Sequence, residues 1–278
     1  VNAETVAALS RLHGPDRVNA LEWNYRRFNH SCYRASDPVA FVWSFPNQAD
    51  REVAAWAAAA LAYGRVAAIQ STLRDLNRRW EHQPAAFVYQ ASAREQQKAL
   101  KGFFYRWTRE THLRALLQGW AAVHTHRPVH QRIRESGCSR YRVALVEVTR
   151  DMRESADDDP GHLLPDPAAG SACKRLAMWL RWMVRKDEID PGLWADHLNP
   201  SGLWVPLDTH MFRIAKQLRL TRRRAPDAEA ARRITAAFAR MRPDDPVRYD
   251  FAITRLGMNT STAHTDPAVP PDSLDIEA

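Results

Sequence analysis

Apolar residues along this chain recur at helical spacing, and almost no stretch alternates apolar and polar residues as a half-buried strand does. That pattern predicts an all-α protein. Glycines number ten in 278 residues, and the prolines mostly sit between periodic segments, where helices end. The spacing predicts helices over residues 2–12, 21–34, 52–63, 65–81, 108–124, 129–136, 141–153, 172–185, 209–220, 227–241 and 246–257, with a short one from Pro84. The stretch 156–170 is acidic, proline-rich and aperiodic and reads as a linker. Residues 1–155 and 208–258 then read as helical lobes whose mutual boundary the pattern leaves open. Between them, 171–207 reads as one helix followed by a long connection. Residues 259–278 carry Ser, Thr, Pro and Asp without period and are expected to be disordered.

At 45% hydrophobic the chain can bury a core. Its 40 Lys and Arg against 32 Asp and Glu give a net charge of +8, which suits a polyanion such as nucleic acid or an anionic membrane surface. An arginine-rich composition bias produces the same charge. The cysteines, Cys32, Cys138 and Cys173, show no CxxC spacing and read as reduced thiols, so neither a cysteine zinc site nor an iron–sulfur cluster is expected. No apolar run approaches the roughly 18 residues of a membrane span, and the start does not look like a signal peptide. A cytoplasmic, nucleoid-associated monomer without membrane contact is the expectation. Among the histidines, only His126 and His130 have helical ligand spacing, and Pro128 interrupts them, so no metal is expected.

Chemistry concentrates in two segments. On a wheel of residues 171–185, Met178, Arg181 and Arg185 fall within about 40° of Lys174, while Ala172, Leu176, Trp179, Leu180 and Met183 fall opposite. One face is therefore core and the other carries Lys174 with two arginines, which an ordinary solvated face also does. Lys174 lies in the first turn, where the helix end is positive. Beside Arg175 and near Arg181, its ammonium form should be destabilised, and a neutral amine is what a Schiff-base nucleophile needs. The free N–H groups after Gly170-Ser171 suit a phosphate. In the second segment, Pro206-Leu207-Asp208-Thr209-His210 runs into Met211-Phe212-Arg213-Ile214-Ala215. Asp208 is placed to N-cap the following helix, a role that needs no further function.

The segment 206–215 resembles the P-V-D-T-H-V-x-R-V signature of the helix-hairpin-helix DNA glycosylases, the superfamily of endonuclease III and the 8-oxoguanine glycosylases. The resemblance makes Asp208 the catalytic acid and Lys174, near the start of a helix packed under the motif, the catalytic lysine. Their separation, 208 − 174 = 34 residues, exceeds that of endonuclease III and is closer to the archaeal 8-oxoguanine glycosylase branch. The Leu-Pro-Gly-Val-Gly hairpin is missing, with Gly170-Ser171-Ala172 its nearest counterpart, and the cysteine cluster of endonuclease III is absent. Over roughly residues 20–258 the chain also resembles an uncharacterised bacterial family. Its recurring words are matched by Asp37-Pro38, Ala60-Leu61-Ala62-Tyr63-Gly64, Phe104-Tyr105-Arg106, Lys174-Arg175, Leu180 to Arg185, Pro206 to His210, and Tyr249-Asp250-Phe251.

The resemblance implies a two-lobed helical fold with an active-site cleft between the lobes. It implies a glycosylase and abasic-site lyase that excises a damaged base, 8-oxoguanine in the nearest branch, through a lysine Schiff base and without a cofactor. The partner would be double-stranded DNA carrying a damaged base or an abasic site. Tyr63 and Arg65 then become candidates for filling the gap left by the extruded base. Ser171, Arg175, Arg181, Arg213 and Lys216 become candidate DNA contacts. Trp179, Trp182, Trp194 and Trp204 lie near the site in sequence, as core or as stacking surfaces. The alternative is a non-catalytic nucleic-acid-binding module on the same fold.

Overall fold

A computed structural model describes residues 3–137 and 141–256. Cys138 and the expected tail at 259–278 lie outside the described residues. The protein is mostly helical, and the single sheet among the described residues is a two-stranded hairpin. No helix there is long and apolar enough to cross a membrane.

The centre is α4 (Gln48–Ala60). Asn47 caps it by accepting the Asp50 N–H, and every residue from Glu52 to Ala60 is buried. A helix buried all round must be small or apolar on every side, and the alanine run from Ala57 to Ala60 meets that demand. Around α4 pack α3 (Val39–Trp43), α6 (Pro84–Tyr89) and α11 (Lys174–Val184). Asp50 Oδ1 accepts the Ala85 N–H at 2.8 Å, which ties α6 to the start of α4. Outside them, α5 (Val66–Arg79) and α7 (Ala93–Leu100) lead into the hairpin β1 (Phe104–Tyr105) and β2 (Thr108–Arg109). Then α8 (Glu110–His126), α9 (Val129–Glu135) and α10 (Tyr141–Glu154) complete this group, with α10 lying on α8. A Cβ on Gly119 would sit 2.2 Å from the Met152 carbonyl oxygen, so only glycine permits that crossing.

A second group joins the two ends of the chain. Helices α1 (Ala3–Arg11) and α2 (Gly14–Phe28) pack with α12 (Thr209–Gln217) and α14 (Asp250–Leu256). Glu22 receives Arg248 at 3.0 Å and the Tyr249 hydroxyl at 2.8 Å. Helix α13 (Ala228–Ala239) is capped by Asp227, which bridges to Ser171. One hydrophobic core runs through both groups, from Val6 to Ile253.

These contacts close α1 and α2 against the C-terminal helices, at a boundary that the sequence pattern left open. Two expectations are corrected. The stretch 156–170 is no free linker: Leu163 and Leu164 are buried, and Asp158 and Asp159 pair with Arg114 and Arg153. Its acidic side chains meet arginines of the helices it crosses, Arg114 of α8 and Arg153 of α10. Residues 31–36 form a 3-10 turn rather than the end of a helix, and α3, α7 and the hairpin were not foreseen. Elements that short carry too few residues for either periodicity to register.

Candidate active site

Two helix N-termini meet at the centre of the molecule. Lys174 is the first residue of α11, and Asp208 caps α12, its Oδ1 accepting the Met211 N–H at 2.7 Å. Lys174 Nζ lies 2.9 Å from Asp208 Oδ2, with the two side chains 37% and 32% exposed. The turn before Lys174 is held in an unusual path. Gly170 has φ +78, and Cys173, a non-glycine, has φ +49, the left-handed region. Arg142 of α10 clamps this turn by donating to the carbonyls of Pro167 at 2.8 Å and Ser171 at 2.5 Å. The expectation of a lysine among like charges omitted this counter-ion, which the fold brings from 34 residues away.

The pair stands between two adjoining cavities that share Asp37, Lys174, Met178 and Asp208. The smaller, about 200 Å³, is closed by Arg181, Pro206, His210, Asp250, Phe251 and Thr254. The larger, about 460 Å³, reaches past Tyr63 and Gly64 to Pro165, Ser171 and Arg175. Burial pushes the Asp208 carboxyl up, but the Lys174 ammonium, the Met211 N–H and His210 outweigh it and hold it below the ordinary carboxylate range.

Asp250 is the neighbour that sequence reasoning missed. It is 4% exposed, Arg181 donates to its Oδ2, and its Oδ1 has no hydrogen-bond partner. Burial pushes its carboxyl up; Arg181 pulls the other way, Asp208 adds to the rise, and it reaches about 6. Asp37, the other unforeseen lining carboxylate, accepts the Val39 N–H at 2.9 Å. Both lie in words quoted for the bacterial family, the one signal that pointed to them.

Of the expected DNA contacts, one is corrected. Arg181 is buried, its guanidinium 3.1 Å from Asp190 and also bonded to Asp250. Burial alone would lower it; Asp190 and Asp250 push it further up. Arg175 donates to the carbonyls of Ala60, at 2.6 Å, and His162. The Arg181 guanidinium is spent on the protein itself, because it points inward from α11 to acceptors on other elements, whereas Arg175 still lines the larger cavity. Tyr63 is half-buried on the larger cavity. Ser171 is exposed, and its Oγ accepts the Cys173 N–H at 3.2 Å. Arg65, Arg213 and Lys216 are exposed, Arg213 donating to His210 Nδ1 at 3.1 Å. Trp179, Trp182, Trp194 and Trp204 are core: Trp179 packs against Trp56, Trp120 and Trp194 at centroid distances of 4.9–5.8 Å.

With this geometry in place, the comparisons with known proteins bear on the whole cleft. Residues 37–259 match the model of the family described as "Protein of unknown function (DUF2400)". The chain belongs to that family. The matched region begins at Asp37 and includes Tyr63, Lys174, Asp208 and Asp250, so every lining residue named above lies within it. Helices α1 and α2 precede it. No curated protein and no solved structure matches the chain.

Proposed function

We propose that this protein is a DNA glycosylase with abasic-site lyase activity, on a two-lobed helical fold of the helix-hairpin-helix glycosylase kind. A damaged base, 8-oxoguanine foremost, turns out of the duplex into the cleft. The observation that carries the reading is the Lys174–Asp208 contact of 2.9 Å at the junction of the two cavities. It joins an amine and a carboxylate from separate segments, in the motif context that the sequence resemblance assigns to them.

The residues permit a balanced sequence of steps. Nζ gives a proton to Asp208, and its lone pair forms a bond to C1′ of the deoxyribose. The bond from C1′ to the base breaks, its electron pair leaves with the base, and the base takes the proton from Asp208. The nitrogen lone pair regenerated by proton loss then expels O4′ from C1′, O4′ takes that proton, and a protonated imine remains. A C2′ proton then passes to water, and the electron pair it leaves behind expels the 3′ phosphate and nicks the strand. Once its proton has gone to the departing base, Asp208 is a carboxylate again and offsets the positive charge of the protonated imine.

The test is to incubate the protein with duplexes carrying 8-oxoguanine, other lesions or an abasic site, and to add borohydride. A covalent adduct, lost in Lys174→Ala and weakened in Asp208→Asn, is expected, and the duplex giving it names the substrate. Tight DNA binding with no adduct on any duplex would overturn the Schiff-base assignment in favour of a non-catalytic binding module.

A further inference from the structure

The hairpin beside the larger cavity carries side chains that the excision chemistry leaves unused. Its register pairs Phe104 with Arg109 and Tyr105 with Thr108. Tyr105 and Thr108 are buried, whereas Phe104 and Trp107 are 66% and 55% exposed. The inward pair fixes the hairpin to the cavity wall. Thr108 Oγ1 lies 2.5 Å from the Tyr63 hydroxyl and 3.0 Å from His162 Nε2, and the Tyr105 hydroxyl donates to the Tyr63 carbonyl. Gly64, at φ +100, passes close beneath: a Cβ there would sit 2.9 Å from the Tyr105 hydroxyl oxygen and 3.2 Å from Arg106 Nη1. Arg106 itself is left-handed at φ +56, which costs a non-glycine residue energy.

Of the two outward rings, Trp107 continues a stack. The Arg106 guanidinium lies 4.7 Å from the Trp107 ring, and Trp107 is stacked on Tyr63 at 5.2 Å and 18°. Tyr63 in turn lines the larger cavity. Charge around the tip is mostly positive: Arg65, Lys101, Arg106 and Arg109 are exposed, while Glu110 turns back to accept the Gly102 N–H. The acidic run at 157–159 is engaged by Gln118, Arg114 and Arg153. Exposed aromatic faces among cations match an unstacked nucleobase flanked by phosphates.

We propose that the Phe104–Trp107 hairpin is a duplex-opening element, whose exposed rings stack on a base left without its partner when a nucleotide enters the cleft. The proposal rests on reading the cleft as a base-accepting site. A rigid anchor with solvent-exposed tips suits it, because the rings are held in place before DNA arrives.

The experiment compares affinities for an intact duplex and one containing a tetrahydrofuran abasic analogue, in the Lys174→Ala background so that no chemistry intervenes. Phe104→Ala combined with Trp107→Ala should weaken binding to the abasic-analogue duplex about tenfold or more. Binding to the intact duplex should change less than about twofold, and Phe104→Tyr with Trp107→Phe should restore most of the loss. Thermal melting confirms that each variant is folded. A folded double-alanine variant that keeps the preference for the abasic-analogue duplex overturns the hairpin proposal and leaves the borohydride result standing. A starting protein with no such preference, whose DNA binding ignores the rings, overturns it too and points to a protein or lipid partner for the tip. If borohydride also traps nothing on wild type, the reading of the cleft fails with it.

Discussion

Lys174 and Arg181 project from the same side of one helix, two turns apart, and meet opposite fates. Arg181 is 4% exposed and shared between Asp190 and Asp250. Below it Arg185 binds Asp187, Asp190 and Asp245, so this end of α11 is a closed network of buried charges. Among the described residues Lys174 has one carboxylate partner, with partial exposure and a cavity on each side. A charge fixed by several buried partners cannot change partners without leaving another charge stranded. A half-open pair can exchange one partner for a ligand at small cost. Asp250 joins the two regimes: it lines the smaller cavity, one of its oxygens belongs to the closed network, and the other is buried without a partner among the described residues.

The comparison breaks most directly at Arg181. Arg181→Ala strands two buried carboxylates and should cost about 3–5 kcal/mol in denaturant unfolding, whereas Lys174→Ala should change stability by no more than about 1 kcal/mol. Equal losses in the two variants would erase the distinction between the ends of the helix.

Asp250 sharpens it through pH. Its folded carboxyl, raised to about 6 from an ordinary 3.8, binds its proton more tightly than in the unfolded chain. For this group the stability present at low pH is therefore lost as pH rises through that window. Asp250→Asn cannot lose it. The stability difference between variant and wild type should shift in favour of the variant by up to about 3 kcal/mol across the window and then level off. Urea unfolding at a series of pH values reads the slope, and a flat difference would mean that Asp250 is already ionised at low pH.

The smallest effect separates the two roles of Asp208. Asp208→Ala removes the cap of α12 and should cost about 1 kcal/mol, while Asp208→Asn keeps it and should cost a few tenths. Both should reduce borohydride trapping. A variant that lost the cap but kept trapping would make Asp208 structural only.

The helical class was legible because periodicity is local: α8 and α11 each repeat their apolar residues often enough to declare the period. Lys174 and Asp208 were legible because each begins a helix within a short recognisable word. The same local reading put Arg181 and Arg185 on a charged face, with Arg181 a candidate DNA contact, and failed there because both are buried. A helical wheel orders side chains around an axis but does not say what lies opposite, and the carboxylate opposite Arg181 comes from Asp250, 69 residues on. The hairpin at Phe104–Arg109 escaped because two-residue strands have no period. The union of α1 and α2 with α12 and α14 escaped because it joins the two ends of the chain. Helix type, caps and the two residues proposed as the reactive pair are thus written in neighbouring residues. Which charges are buried, which carboxylates reach the cavities and which aromatic rings stay exposed were decided by contacts between segments remote in sequence, since burial is a property of the assembled packing.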